Sequence, residues 1–204
     1  MLQSLLISET ADLEKYIEIY RKLGMFTSLS YLQESSVYVF YRKQKPDEWL
    51  AGYVITTTGP SRYLPLMPVE KQQEIVEKFK IERSDLVEIG GCFIKTRRVT
   101  NAERLQVYIR MLWNAYRTGR NIIMTGSFVV KEREKQMKLF PQLIFDEDIK
   151  YHDSDRNLWI YFGHRDGLAF RFMRAVWQET WPAKAKLIKD RSTFTPLPDL
   201  AKSA

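Results

Sequence analysis

The residue of this sequence best placed to do chemistry is a carboxylate inside an apolar strand. Leu86-Val87-Glu88-Ile89-Gly90-Gly91-Cys92-Phe93-Ile94 is apolar enough to be buried on both faces, so Glu88 stands to lose its hydration. A carboxylate held there has a raised pKa, which suits a general base for an amine. A glutamate paired with an arginine, or one at an exposed strand end, is the plainer reading. Arg97 and Arg98 follow, and Thr100 with Glu103 then forms the S/T-x-x-E capping box that opens a helix. Helix N-terminal amides carry partial positive charge and the two arginines add full charges, so Arg97, Arg98, Thr100 and Asn101 form a candidate site for a phosphate. The alternative there is a solvated basic turn with an ordinary cap. Ser127 closes a second apolar strand, Asn121 to Val129, where its hydroxyl could donate to a leaving group or an oxyanion, or simply bond the backbone.

Three further groups of residues bear on the chemistry. Tyr63-Leu64-Pro65-Leu66-Met67-Pro68 is too apolar for an exposed loop, so Tyr63, Leu64, Leu66 and Met67 cover either a core or a ligand. Cys92, the only cysteine, has apolar neighbours and reads as a buried, inert thiol; alone, it can form neither an internal disulfide nor a cysteine-based zinc site. His152 and His164 are the only histidines, both in or beside turns; either could act as a base, though surface histidines are commoner, and with so few histidines and one cysteine a metal enzyme is not expected, a carboxylate-rich site being the one kind left open.

The elements that must position these residues are legible in the periodicity. Thr10 to Leu23 is a helix capped by Thr10 and ended by Gly24. Tyr31 to Leu32 and Ser36 to Arg42 read as extended, and Trp49 to Thr58 returns as the second arm of a hairpin. Val69 to Phe79 is a helix. The segment Leu86 to Val130 is strand, amphipathic helix, strand, with Leu105, Tyr108, Ile109, Leu112, Ala115 and Tyr116 on the helix's apolar face and Gly119 as its stop. The two strands should be parallel neighbours, because a right-handed crossover through one helix is the near-universal solution. Lys131 to Leu139 is a short charged helix, Tyr151 to Asn157 a polar turn, Leu158 to Phe162 a strand, and a last helix opens at Asp166 with Ala169, Phe172, Val176 and Trp177 on one face. Trp113, Trp159, Trp177 and Trp181 read as core or interface residues. Residues 1–191 make one α/β domain, a mixed sheet with helices on both faces, and 192–204 a tail, flexible or laid on the surface.

Length and charge bound the function. A chain of 204 residues supports one sizeable core. A net charge of +7 points to an acidic partner: nucleic acid, an anionic membrane surface, an acidic carrier protein or a phosphorylated cofactor. The basic residues are interleaved with acids and no nucleic-acid-binding motif is present, which argues against nucleic acid. No apolar run reaches the ~18–20 residues of a membrane span, and the N-terminus lacks a signal-peptide pattern, so a cytoplasmic protein is expected.

This order of elements resembles the GNAT acyltransferase superfamily, nearest to the acyl-homoserine-lactone synthases and N-acyl amino acid synthases. Two stretches carry the resemblance: Ala51 to Pro68, a strand ending in Thr56-Thr57-Thr58 and running into the Pro/Leu loop, and Glu88 to Val129. The resemblance implies an N-acyltransferase in which a neutral amine attacks a thioester directly. The donor would be acyl-phosphopantetheine on an acyl-carrier protein, or acyl-CoA, and the acceptor a small amine. Glu88 and Ser127 would be catalytic, Phe93, Ile94, Lys95, Arg97, Arg98, Thr100 and Asn101 would hold the donor, and Tyr63, Leu64, Leu66 and Met67 the acyl chain. The superfamily's glycine turn, which cradles a pyrophosphate, is replaced here by Arg97-Arg98-Val99-Thr100-Asn101-Ala102-Glu103. With the apolar loop, that departure favours a long acyl chain on a carrier protein. The competing readings are a non-enzymatic, basic nucleic-acid-binding protein and a GNAT fold that has lost catalysis.

Overall fold

A computed structural model describes residues 1–58, 61–151 and 154–176. Seven strands form one sheet in the order β1-β2-β3-β4-β5-β7-β6. These are β1 (Gln3–Ile7), β2 (Ser36–Tyr41), β3 (Ala51–Thr56), β4 (Leu86–Ile94), β5 (Ile122–Ser127), β6 (Gln142–Tyr151) and β7 (Ser154–His164). Each neighbouring pair is antiparallel except β4 with β5, which are parallel and joined by helix α4 (Asn101–Arg117), as expected from the sequence.

Alternation along the strands gives two packed faces. Phe40, Tyr53, Ile55, Val87, Ile89, Ile123, Trp159 and Tyr161 point to α4 and its Val107, Met111, Leu112 and Ala115. The opposite face packs on α1 (Thr10–Lys22) and α2 (Leu29–Gln33) through Val37, Val39 and Val54, and on α3 (Val69–Phe79) through Leu86, Met124, Ile160 and Phe162. Helix α5 (Val130–Leu139) lies beside β5 and β7. At the chain's start, Gln106 of α4 accepts from the Leu2 amide at 3.1 Å and donates to the Leu2 carbonyl at 2.7 Å, so one side chain stands in for a strand partner.

Several elements depart from the sequence reading. Tyr31 and Leu32 are not extended: Ser28 caps the short helix α2 by accepting from the Tyr31 amide at 3.2 Å, and both residues are buried in the core. Thr10 is the first helical residue of α1; Glu9 is the cap and gives no side-chain bond. The buried stripe of α4 is rotated from the expected face. Val107, Met111 and Ala115 line up at i, i+4, i+8 where small and flexible side chains let the helix approach the sheet, and Ile109 is 47 % exposed. Strands β1 and β6 lie at the sheet's edges with few buried residues, so they carried little apolar signal. Residues 154–157 belong to β7 rather than to a turn. Trp159 is buried, Trp113 is exposed and stacks on Tyr116, and Cys92 is only half-buried. His152, Trp177, Trp181 and residues 192–204 lie outside the described residues.

Candidate functional site

The site begins where two parallel strands part. The β4–β5 ladder runs from Leu86↔Ile122 to Ile89↔Thr125 and stops there. β4 continues as Gly90–Ile94 along β3, and β5 as Gly126–Ser127 along β7. A bulge supplies the divergence: Gly91 and Cys92 together face Tyr53, and Gly91 has φ of 57°. Glycine is required at position 91, because a Cβ there would lie 2.7 Å from Val54 Cγ2. Tyr16 pins the bulge by donating its hydroxyl to the Gly91 carbonyl at 2.5 Å. The result is a notch with a stretch of β4 edge that β5 no longer covers.

Glu88 sits at the root of this notch, on the α1/α3 face, with 2 % of its surface exposed. Ser61 Oγ donates to its Oε2 at 2.5 Å and Tyr31 Oη to its Oε1 at 3.1 Å, while the Arg62 amide reaches both oxygens at 3.0 Å. Burial pushes the Glu88 carboxyl above its ordinary value, and these hydrogen bonds pull it back only in part. Glu88 is thus both the titratable carboxyl of the notch and the peg that fixes the Ser61–Arg62 segment to the sheet. Tyr31 Oη stands over Gly90, 2.8 Å from where a Cβ would be, and Tyr63's ring fills the matching space over Gly126, also at 2.8 Å. Phe26, Tyr151, Phe128 and the Arg62 guanidinium ring the same side, with Tyr151 Oη donating to the Phe26 carbonyl at 3.1 Å.

The other expected residues are placed less simply. Ser127 projects to the α4 face, away from Glu88, and its Oγ accepts from the Val129 amide at 3.0 Å. Phe93 is core, edge-on to Tyr16 at 5.3 Å, and half-buried Ile94 packs on the α4-side core. Lys95 is depressed below an ordinary lysine by partial burial and by the nearby charges of Lys22 and Lys15. The capping box forms as read: Thr100 Oγ1 accepts from the Glu103 amide, and Glu103 Oε2 accepts from the Thr100 amide at 2.9 Å. Arg42 also pairs with Glu103 at 3.0 Å, and Arg98 pairs with Glu48. The helix N-terminus therefore already holds a carboxylate, and of the two arginines only Arg97 makes no ion pair among the described residues. Asn101 is exposed and accepts from Arg104. Tyr63 and Met67 are buried and Leu64 and Leu66 half-buried, all against Ile75, Met124 and Phe162.

The sequence reading missed Tyr31, Ser61, Arg62 and Tyr151, each brought to the site by long-range packing. Only the polar Ser61-Arg62 pair interrupting an apolar stretch hinted at two of them. No group of three or more His, Cys, Asp or Glu side chains suited to a metal ion occurs among the described residues, and none of their helices is long and apolar enough to cross a membrane.

No protein-family profile matches the chain, and no curated protein does. Solved structures do match. FeeM, an N-acyl amino acid synthase from uncultured soil microbes, superposes with a TM-score of 0.60 at 10% identity, over 87% of this chain and 99% of that one. The Drosophila melanogaster polyamine N-acetyltransferase that forms N-acetylagmatine gives 0.57 at 9%, over 80% and 100%. YncA of Salmonella typhimurium, an acetyltransferase of unestablished role solved with acetyl-CoA, gives 0.52 at 10%, over 81% and 94%. At such identities these likenesses establish the fold alone: a mixed, GNAT-like α/β sheet, the fold the sequence resemblance implied.

Proposed function

We propose that the chain is an N-acyltransferase that passes an acyl group from a thioester to an amine held at the notch. The observation that carries this reading is the parting of β4 and β5 after Ile89, directly beside a buried carboxylate. A thioester lying in the notch would have its carbonyl against the β4 edge beyond Ile89, where backbone amides can stabilise the developing oxyanion. The acceptor approaches from the Glu88 face. Its nitrogen forms the new C–N bond, the C–S bond breaks, and the nitrogen sheds a proton. Tyr31 Oη, over Gly90 and bonded to Glu88, relays that proton to the carboxylate. Ser127, on the opposite face, accepts from the Val129 amide and can hydrogen-bond the departing thiolate, which takes its proton from water. Neither step needs a covalent enzyme intermediate.

For the donor we favour a long acyl chain on a carrier protein's phosphopantetheine arm over acetyl-CoA. Glu103 fills the helix N-terminus where a pyrophosphate would compete, and Arg97 remains for a single phosphate. Lys15, Lys22 and Lys95 crowd one another near the end of β4 and suit the acidic surface of a carrier. Leu64 and Leu66 offer half-buried apolar surface, and at ~0.8 kcal/mol per buried methylene a ten-carbon chain gains several kcal/mol over acetyl. Transfer rates from acetyl-CoA, decanoyl-CoA and a decanoyl-carrier protein to a panel of amines test both parts. Preference for the decanoyl-carrier is expected. A preference for acetyl-CoA overturns the donor assignment, and no transfer from any donor overturns acyl transfer itself.

A further inference from the structure

The sheet has two edges, and they are guarded unequally. β6, at one edge, carries Asp146, Glu147, Asp148 and Lys150, all exposed, and a register shift between Leu143 and Phe145. Charges and bulges of that kind keep a further strand from adding to a sheet. β1, at the other edge, reads Gln3-Ser4-Leu5-Leu6-Ile7, with no charge, no proline and no shift in its pairing with β2. Leu5 is 45 % and Leu6 54 % exposed, one on each face of the sheet. Helix α1 leaves this edge and runs back over the interior of the sheet, where Tyr16 meets Phe93.

The hydrogen bonds show which groups of β1 face outward. Phe40 of β2 turns its carbonyl to the β3 side, where it accepts from the Leu50 amide at 2.7 Å. Alternation then turns Val37, Val39 and Tyr41 toward β1, where they meet Ile7, Leu5 and Gln3. The peptide groups of Leu2, Ser4 and Leu6 are left pointing away from β2. Leu2 agrees, since Gln106 takes both its amide and its carbonyl. Ser4 and Leu6 have no partner on that side among the described residues.

We propose that β1 is the contact between two copies of this chain, paired antiparallel about a two-fold axis at Leu5, so that their sheets run on as one. The register follows from the free groups. Ser4 and Leu6 exchange hydrogen bonds with Leu6 and Ser4 of the second copy, so each free peptide group of β1 gains a partner. A register centred on Ser4 would instead set Leu6 against Leu2, whose groups Gln106 already holds. About the Leu5 axis, Leu5 meets its own copy directly and Leu6 lies diagonal to its own copy, which covers both exposed leucines. The ends match in charge as well. Glu9 follows β1 at one end, and exposed Lys43 stands just past Tyr41, the partner of Gln3, at the other. Antiparallel pairing sets each acidic end beside a basic one. The notch between β4 and β5 is well inside the sheet, so this contact takes nothing from the acyl-transfer reading.

A ladder of this length is a small interface, so the dimer is weak and its mass depends on concentration. Sedimentation velocity over about 1–300 μM should show wild type moving from one chain to two. Leu5→Lys sets like charges opposite each other at the axis and should weaken the dimer about tenfold or more while the melting temperature holds. Under mild oxidation Leu5→Cys should give a disulfide-linked dimer, because the Cα atoms of a non-hydrogen-bonded pair lie about 4.5 Å apart. Gln3→Cys should not, since its two copies stand roughly 13 Å apart along the ladder, and it also reports any linkage through Cys92. A one-chain mass at every concentration overturns the proposal. So does a dimer that Leu5→Lys leaves intact, and so does Gln3→Cys linking as readily as Leu5→Cys. Should Leu5→Lys fail to fold, the wild-type mass and the two cysteine variants decide alone.

Discussion

Replacing Glu88 separates its two roles, as peg and as proton acceptor. In Glu88→Ala the Ser61 and Tyr31 hydroxyls and the Arg62 amide lose their acceptor in a buried place. Orphaned buried donors cost ~1–3 kcal/mol each. Some of that is offset because the charge's own desolvation is relieved, leaving a net loss of about 3–5 kcal/mol. In Glu88→Gln the amide oxygen can keep the Arg62 amide, while its NH₂ donates to one hydroxyl that turns to accept, so the loss is about 1–2 kcal/mol. Urea unfolding should therefore show the Ala midpoint well below the Gln midpoint at an unchanged slope. Activity does not follow stability. Gln holds the loop but cannot take a proton, so turnover should fall by about 10²–10⁴-fold and the acid limb of the pH–rate profile should disappear. Equal midpoints for Ala and Gln would refute the peg. A Gln variant with wild-type turnover and an intact acid limb would refute the proton acceptor.

The remaining predictions concern the same region. The two glutamates should oppose each other in pH dependence. Arg42's hydrogen bond holds Glu103 down to about 2, so its stabilisation is present above its unfolded value and is lost as pH falls through about 2; Glu103→Gln should remove that acid sensitivity in thermal melts. Glu88 is raised, so its stabilisation is full below its unfolded value and is lost as pH rises through the folded one; Glu88→Gln should flatten that fall. Arg97→Ala with Arg98→Ala should weaken donor binding by about 1–3 kcal/mol in calorimetry without lowering the melting temperature beyond the loss of an exposed Arg98–Glu48 pair; unchanged affinity would mean the turn is only a cap. Gly126→Ala puts a methyl 2.8 Å from Tyr63's ring and should cost about 1–3 kcal/mol of stability, as overpacking does, and reduce acyl transfer; an unaffected variant would show that Tyr63 moves freely.

Glu88 was visible in the sequence because it is the one charged residue in a nine-residue apolar strand, although pairing with an arginine was the plainer reading of it. The strand–helix–strand around it was equally plain, since its capping box, helix and closing glycine are all local signals. What escaped is non-local. Tyr31 was read as extended with the β-prone Val37–Tyr41 run that follows it, and Ser28's cap and burial against α1 set it in a helix instead. Arg62 gave no periodic signal, since its position depends on a carboxylate 26 residues away. The capping box at Thr100–Glu103 formed as read, but Glu103's own carboxylate occupies the helix N-terminus and Glu48, distant in sequence, pairs with Arg98.

The side of the notch around Glu88 also has a history in time. Phe26 and Arg62 meet across 36 residues, Arg62 and Tyr151 across 89, Phe26 and Tyr151 across 125. A growing chain therefore carries its base, its cation and most of its core long before the last wall of the notch has been made. Contacts of such separation form late, since loop closure must be met before they reward it. The notch is thus incomplete on a half-made chain. A chain cut in the short link between α3 and β4 would leave Phe26 and Arg62 on one piece and Glu88 and Tyr151 on the other, so that activity would report the reunion of the two.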